Sequence, residues 1–436
     1  MNQFKFITTL YEEHLTELSF LYSQRIYLMN QNQKEFFWID YEKIENRIEP
    51  HLDALNIGGE IALEVCQKQS IEGDFGELYA ACCIFCRQKR LDLICDVIEK
   101  IDSDDKDRII AITDALKYEM PGSWEDYIKS LLASKDQVIC SIAAKICGFR
   151  RINAEKELIQ YLSQHNPHPV FIWALGRMPG RKTFSSEITS ILFPYINHKN
   201  EKIQYESLIS LLRSGVDCVS AFVESDKFTN NLPLIPAALS FNPQCIASLT
   251  ELAAQKKASS DCLVALGLIG NKTALNILIE YLSEEHLAEI AAISLYLITG
   301  ADLFEEVFIP EAIDEELLFE DELEKIKNGE PLYPSGKEPG TTELRLSKKP
   351  EKWKNWLKEN NKRFLPEEFY RLGKPNSPVC LLETIQSKHS SQLIRQLAYD
   401  ELVIRFDKDI TFETEMFVKQ QNDAIHELKG IICCER

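Results

Sequence analysis

The sequence predicts an all-α protein: an α-solenoid of HEAT-like helical hairpins with helical N- and C-terminal extensions. Three observations predict it. The stretch NAEKELIQYLSQ, Asn153 to Gln164, recurs as TALNILIEYLSE, Thr273 to Glu284, with Ala, Leu, Ile, Tyr, Leu and Ser in register. Between and around them, apolar and small residues return at helical spacing, and no alternating run argues for a sheet. Short Asp, Asn, Gly and Pro interruptions leave connections of only a few residues. A helical hairpin cannot bury its apolar face alone, so stacked hairpins share a core and present a broad surface to other molecules.

The elements follow in order. Residues 1–59 form a helical N-terminal region. Its apolar stripe is Ile7, Tyr11, Leu15, Leu18 and Tyr22, and a second helix runs from Tyr41 to Leu55. Asp40 is placed to cap that helix and Gly58-Gly59 to stop it, while Pro50 should kink or divide it. Residues 73–303 form the repeat array. Its expected helices begin with Phe75–Gln88, Leu91–Lys100, Lys106–Tyr118, Ser123–Leu132, Asp136–Cys147 and Glu155–Ser163. They continue with Pro169–Gly176, Glu201–Arg213, Pro243–Gln255, Ser259–Leu268, Thr273–Leu282 and Glu285–Ile298. Small residues such as Ala143-Ala144, Ala174, Ala265 and Ala291-Ala292 lie where neighbouring helices must approach closely.

Residues 304–350 read as an acidic-to-basic linker or loop. Glu305 to Glu330 holds eleven acidic residues against two lysines, and PLYPSGKEPG follows with loop chemistry. Lys337 to Lys374 reverses the balance, with eleven Lys or Arg against six Glu, so the two blocks can pair locally or contact different partners, and weak surface attraction slightly favours local pairing. Residues 351–436 return to amphipathic helix, with segments expected at Leu381–Lys388, Ser391–Phe406 and Phe412–Leu428.

Composition narrows the function. A formal charge of −19 repels a nucleic-acid backbone unless basic residues are segregated on one face, so no nucleic-acid partner is expected. No window approaches the roughly 18 apolar residues of a membrane span, and no targeting signal opens the chain, so no membrane partner is expected and the compartment reads as cytoplasmic. Most of the 13 cysteines sit inside apolar helical patterns and their number is odd, which fits reduced thiols.

Each constellation that could carry chemistry has a plainer reading. Cys82, Cys83 and Cys86 fall within a helical turn, with Cys95 on the next helix, but YAACCIFC is a continuous apolar run where cysteine serves as a small core residue. GRMPGRKT, Gly176 to Thr183, departs from a phosphate loop in spacing and follows a helix rather than a strand. IDSDDKDR, Ile101 to Arg108, lacks the glycine and glutamate of a calcium loop and reads as a helix connection with capping aspartates. His165 and His168 have no third ligand nearby. No catalytic residue, metal or cofactor is therefore assigned. The candidate partner-binding residues are Trp353 and Trp356, three apart on one helical face, with Lys352 and Lys354 beside them. The plainer alternative has both rings anchoring the helix.

Several segments together resemble one known family. They are EEHLTELSFLYSQR, IENRIEPHLDALNIGGEIALE, EGDFGELYAACCIF, LYLITGADL from Leu295 to Leu303, and the two-tryptophan helix followed by RFLPEEFYRLGKP. They resemble the blocks of a bacterial family of HEAT-like repeat proteins encoded near type VI secretion spike, PAAR-like and adaptor genes. The resemblance covers most of the chain. It implies a non-catalytic accessory role as effector chaperone, adaptor or spike-loading factor, with secretion spike, PAAR-like, adaptor or effector proteins as partners. The family commonly has alanine where this chain has Cys82 to Cys86, which further weakens a metal reading. Two other classes remain open: a helical-repeat enzyme (a lyase or a nucleic-acid-acting protein) and an immunity-like protein that masks a toxin.

Overall fold

The computed structural model describes residues 2–30, 37–179, 186–220, 233–255, 258–310, 328 and 340–434. The protein is all-α, with twenty-one α-helices among the described residues. The N-terminal helices are α1 (Asn2–Asn30), α2 (Glu42–Ile57) and α3 (Gly59–Glu72). Then come α4 (Phe75–Arg87), α5 (Leu91–Glu99), α6 (Lys106–Glu119), α7 (Glu125–Leu131), α8 (Gln137–Arg150), α9 (Glu155–Gln164), α10 (Pro169–Leu175), α11 (Ser186–Leu192) and α12 (Glu201–Arg213). The array closes with α13 (Leu234–Leu239), α14 (Pro243–Ala254), α15 (Ser260–Ile269), α16 (Lys272–Tyr281) and α17 (Ala288–Thr299).

Helices α1, α4, α6, α8, α10, α12, α13, α15 and α17 pack side by side as one row, and α3, α5, α7, α9, α11, α14 and α16 cover it as a second. The duplicated sequence explains the second row. Leu158, Ile159, Tyr161 and Leu162 of α9 are buried, and so are Leu278, Ile279 and Tyr281 of α16 and Leu282 at its end. Side-chain caps set many helix starts. Asp74 and Glu77 form a capping box at α4, and Asp105, Asp136, Asn200, Asn242, Ser259 and Asn271 cap later helices. Close approach within the row explains Gly267, where a Cβ would come within 2.9 Å of the Ser294 side chain.

Three expectations need correction. Helix α2 runs unbroken through Pro50, and Asp40 accepts a hydrogen bond from the Phe37 amide in a preceding 3-10 turn. Gly59, expected to stop the preceding helix, is itself the first residue of α3, which fills the interval to Glu72 that carried no expectation. The last helix begins at Val418 rather than Phe412. Residues 407–417 instead cross other helices and spend their polar groups on them.

The ends of the 304–350 region pair as an antiparallel ribbon of β1 (Phe304–Pro310) and β2 (Gly340–Leu346), with Phe304 opposite Leu346. The rest of the acidic run and the PLYPSGKEPG stretch lie outside the described residues, apart from single positions. Helix α18 (Pro350–Asn360) follows, then the two-residue strands β3 (Tyr370–Arg371) and β4 (Lys374–Pro375). The chain ends with α19 (Pro378–Gln386), α20 (Gln392–Phe406) and α21 (Val418–Cys434). These last three helices and Trp38 share a second apolar core. No helix among the described residues is long and apolar enough to cross a membrane.

Candidate functional site

The C-terminal ends of the row helices lie along one edge, and the chain from Tyr370 to Val418 runs back along it from the last repeat to the first. Its path is written in hydrogen bonds. Tyr370 N donates to Gly270 O, and Leu372 N and Gly373 N donate to Leu297 O and Ile298 O. Gly270 caps α15 with φ +74°, and a Cβ there would meet the Tyr370 carbonyl, so glycine permits both the cap and the contact. At the far end, Arg25 Nη2 reaches Glu415 O, and Val418 N donates to Glu45 Oε2.

Between these ends the edge is a ladder of ion pairs. Helix C-termini concentrate carbonyl charge, so cations belong there. Lys117 and Arg213 occupy the last turns of α6 and α12, and Arg151 and Arg177 follow α8 and α10. Each meets an acid of the returning strap. Glu415 takes Lys117 at 2.9 Å and Lys145 at 2.8 Å. Glu413 takes Arg177 at 2.6 Å and Arg151 at 3.2 Å. Asp400 and Asp409 take Arg213 at 2.6 and 3.2 Å. Glu401 takes Arg371 at 2.6 Å with both side chains fully buried. Burial opposes ionisation of Glu413 and Glu415, but Arg177, Arg151, Lys117 and Lys145 overcome it and hold both carboxyls below the usual range.

Beneath the strap lies a cleft of about 260 Å³, bounded by Lys145, Trp173, Arg177, Tyr205, Glu206, Gln396, Asp400 and residues 413–415. The Trp173 ring carries Lys145 Nζ at 4.1 Å and Arg177 Cζ at 4.2 Å from its centroid. Burial pushes the Glu206 carboxyl up to about 7, with the nearby Asp400 charge acting in the same direction and Arg177 and Lys145 against it. A carboxyl that titrates near neutrality inside a cleft is a candidate functional group. Sequence reasoning missed it because Glu206 stands alone in an amphipathic helix. The available signals were single cations at predicted helix ends and alternating acids in FETEMF.

The sequence-derived candidates lie elsewhere. Trp353 is buried and donates through Nε1 to Ser347 O at 2.7 Å, so this ring anchors α18. Trp356 is half-buried and tilted against Phe364. Lys352 pairs with Glu305 at 2.8 Å and Lys354 with Glu351 at 2.8 Å, both in solvent. Lys349 also reaches Glu305, so the acidic and basic blocks do pair where they are described. Lys354 and Lys358 border a cleft of about 250 Å³ with Lys272 of α16.

Cys82, Cys83 and Cys86 are buried in α4, and burial raises all three thiols, Cys82 to about 12. Such thiols are poor nucleophiles and poor ligands. His165 bonds the Tyr161 carbonyl while His168 accepts from Val170 N, so the two rings do not converge on one ion. The phosphate-loop look-alike ends outside the described residues.

A second opening lies on the outer row near the N-terminal end of the array. This groove of about 490 Å³ is lined by Ile71, Leu93, Val97 and Ile101 and rimmed by Asp96, Lys100, Asp102 and Arg108. Ile71 is 65% exposed there. Comparison with protein-family models, curated proteins and solved structures finds no match to this chain.

Proposed function

We propose that the protein is a non-catalytic protein–protein interaction scaffold, a HEAT-like α-solenoid acting in the bacterial cytoplasm. On the family resemblance, its role is accessory to type VI secretion, as effector chaperone, adaptor or spike-loading factor. The observation that carries the interaction reading is the outer groove. Exposed Ile71 beside half-buried Leu93, Val97 and Ile101, within a charged rim, is the surface chemistry of a docking site, since apolar area is costly to leave in water. The strap supports the same reading from the other side. It fills the edge where the row helices end and leaves the outer groove uncovered.

The test is affinity purification from producing cells, followed by mass spectrometry, with the unaltered protein and Ile71→Asp. The reading expects spike, PAAR-like, adaptor or effector proteins with the unaltered protein and fewer with the variant. Recovery of none of these classes removes the secretion assignment. Equal recovery with Ile71→Asp moves the docking surface away from the groove.

A further inference from the structure

One carboxylate under the strap stands without a direct ion-pair partner. Asp400 is held by Arg213, Glu413 by Arg177 and Arg151, and Glu415 by Lys117 and Lys145. Glu206 has no hydrogen bond and no ion pair among the described residues. The cleft lining holds four carboxylates (Glu206, Asp400, Glu413, Glu415) and two cations, Lys145 and Arg177, while Arg213, Arg151 and Lys117 complete the pairs of Asp400, Glu413 and Glu415. An ionised Glu206 is therefore the lining charge left without an ion-pair partner, and it draws a cation. A hard metal ion is poorly served, because it needs about six oxygens and no metal-holding group of His, Cys, Asp or Glu occurs among the described residues.

A second wall, from α20, makes a separate demand. Gln396 lines the cleft, and its Oε1 already accepts from Thr414 N and Oγ1, which leaves its amide nitrogen as the donor without a partner. Nε2 is buried and has no acceptor. A buried donor without a partner is costly, about 1–3 kcal/mol, so a ligand acceptor is favoured there. The occupant that answers both walls carries a cation and a carbonyl. At about 260 Å³ the space falls below the roughly 300–1,000 Å³ of drug-sized pockets and suits one extended side chain.

We propose that this cleft binds the side chain of an arginine or lysine, its cation paired with Glu206 and its main-chain carbonyl accepting from Gln396 Nε2. The inference goes beyond the scaffold reading and does not depend on it. Two sources share this chemistry, a basic residue within a peptide and a free basic amino acid. The free amino acid adds a carboxylate, for which the lining has no unpaired cation because Lys145 and Arg177 are taken by Glu415 and Glu413, so the peptide residue is the expected source. Binding has a defined pH dependence. The groups facing Glu206 are Lys145 on α8, Arg177 after α10, Tyr205 on α12, Asp400 on α20, and Glu413 and Glu415 on the strap. Burial and the neighbouring carboxylates hold Tyr205 above its usual range, Arg177 is held above its own by Glu413 and Asp400, and Glu413 and Glu415 stay below theirs. Glu206 is thus the group that titrates near 7.

Calorimetric titration of the full chain tests this with N-acetylarginine amide, free arginine, butylguanidine (no carbonyl) and butyrate (no cation). N-acetylarginine amide should bind at pH 8 and about tenfold more weakly at pH 6, where Glu206 is protonated. Free arginine should bind more weakly than the amide; the reverse order assigns the same site to the free amino acid. Glu206→Gln should abolish binding at pH 8, with an unchanged or higher unfolding temperature showing that the fold survives. Gln396→Ala should bring N-acetylarginine amide down to the level of butylguanidine. The proposal is overturned by butyrate binding as well as the amide, by unaltered binding in Glu206→Gln, or by no binding of the amide at millimolar concentration.

Discussion

The strap edge and the two-tryptophan helix use the same residue types to opposite ends. Along the edge, Arg177 and Glu413 meet at 2.6 Å with 4% and 5% of their side chains exposed. On α18, Lys352 and Glu305 meet at 2.8 Å with 45% and 21% exposed. The first pair has given up its water and depends on its partner. The second retains water whether or not the partner is present. A dense run of lysines in sequence is therefore a weaker sign of structural importance than a lone arginine at a helix end.

The largest expected effect breaks the edge. Glu413→Ala leaves Arg151 and Arg177 buried beside an apolar methyl, and removing one partner of a buried pair costs about 3–5 kcal/mol. The urea midpoint should fall accordingly, with the slope unchanged. A loss below ~1 kcal/mol would mean that water reaches both guanidiniums and that the edge resembles α18 after all. The core behind the edge has its own test. Cys83 is fully buried in α4, so Cys83→Ser places a hydroxyl in apolar surroundings at a cost of about 1–3 kcal/mol. Its raised thiol should also resist alkylation in the native state at pH 8, while the exposed Cys433 and Cys434 react. Rapid native labelling of Cys83 would contradict the packing.

Within the edge, Glu206 and the strap acids should respond to pH with opposite signs. Glu413 and Glu415 have depressed folded values, so their contribution is present above the ordinary carboxylate value and lost as pH falls below it. Glu206 is raised from 4.5 to about 7, so the folded state holds its proton longer and stability falls as pH rises through that interval. Glu206→Gln removes this second slope. At pH 8 it should be more stable than the unaltered protein by on the order of 1–3 kcal/mol, and the two should converge near pH 4.5. Parallel curves for the two proteins across that range would show that Glu206 is solvated.

What the sequence made legible follows from distance along the chain. The helices of the array could be read because periodicity and caps are local: Asp74 and Glu77 announce α4 within four residues, and Tyr161 and Tyr281 repeat one device. The strap could not be read. Arg213 and Asp400 are separated by 187 positions, and nothing near either marks the other. The helix expected from Phe412 failed for the same reason. FETEMF has helical amphipathicity in isolation, but its carboxylates and the Glu415 carbonyl are taken by α1, α6, α8 and the arginines that follow α8 and α10. Trp353 was visible as a residue of consequence, while its burial depends on Ser347 at the end of the ribbon.

The smallest expected effect concerns the lysines that stood out in sequence. Lys352→Ala and Glu305→Ala should each change stability by about 0–1 kcal/mol, and the double variant should show a coupling of the same order that fades as salt is raised. Glu305 also pairs with Lys349, so Glu305→Ala releases two exposed ammonium groups into water, neither of them stranded. A coupling above ~2 kcal/mol that persists in high salt would mean that the ribbon and α18 form a desolvated unit. Lys352 would then belong with Arg177 as a structural cation, and the contrast between the two regions would rest on position alone rather than on water.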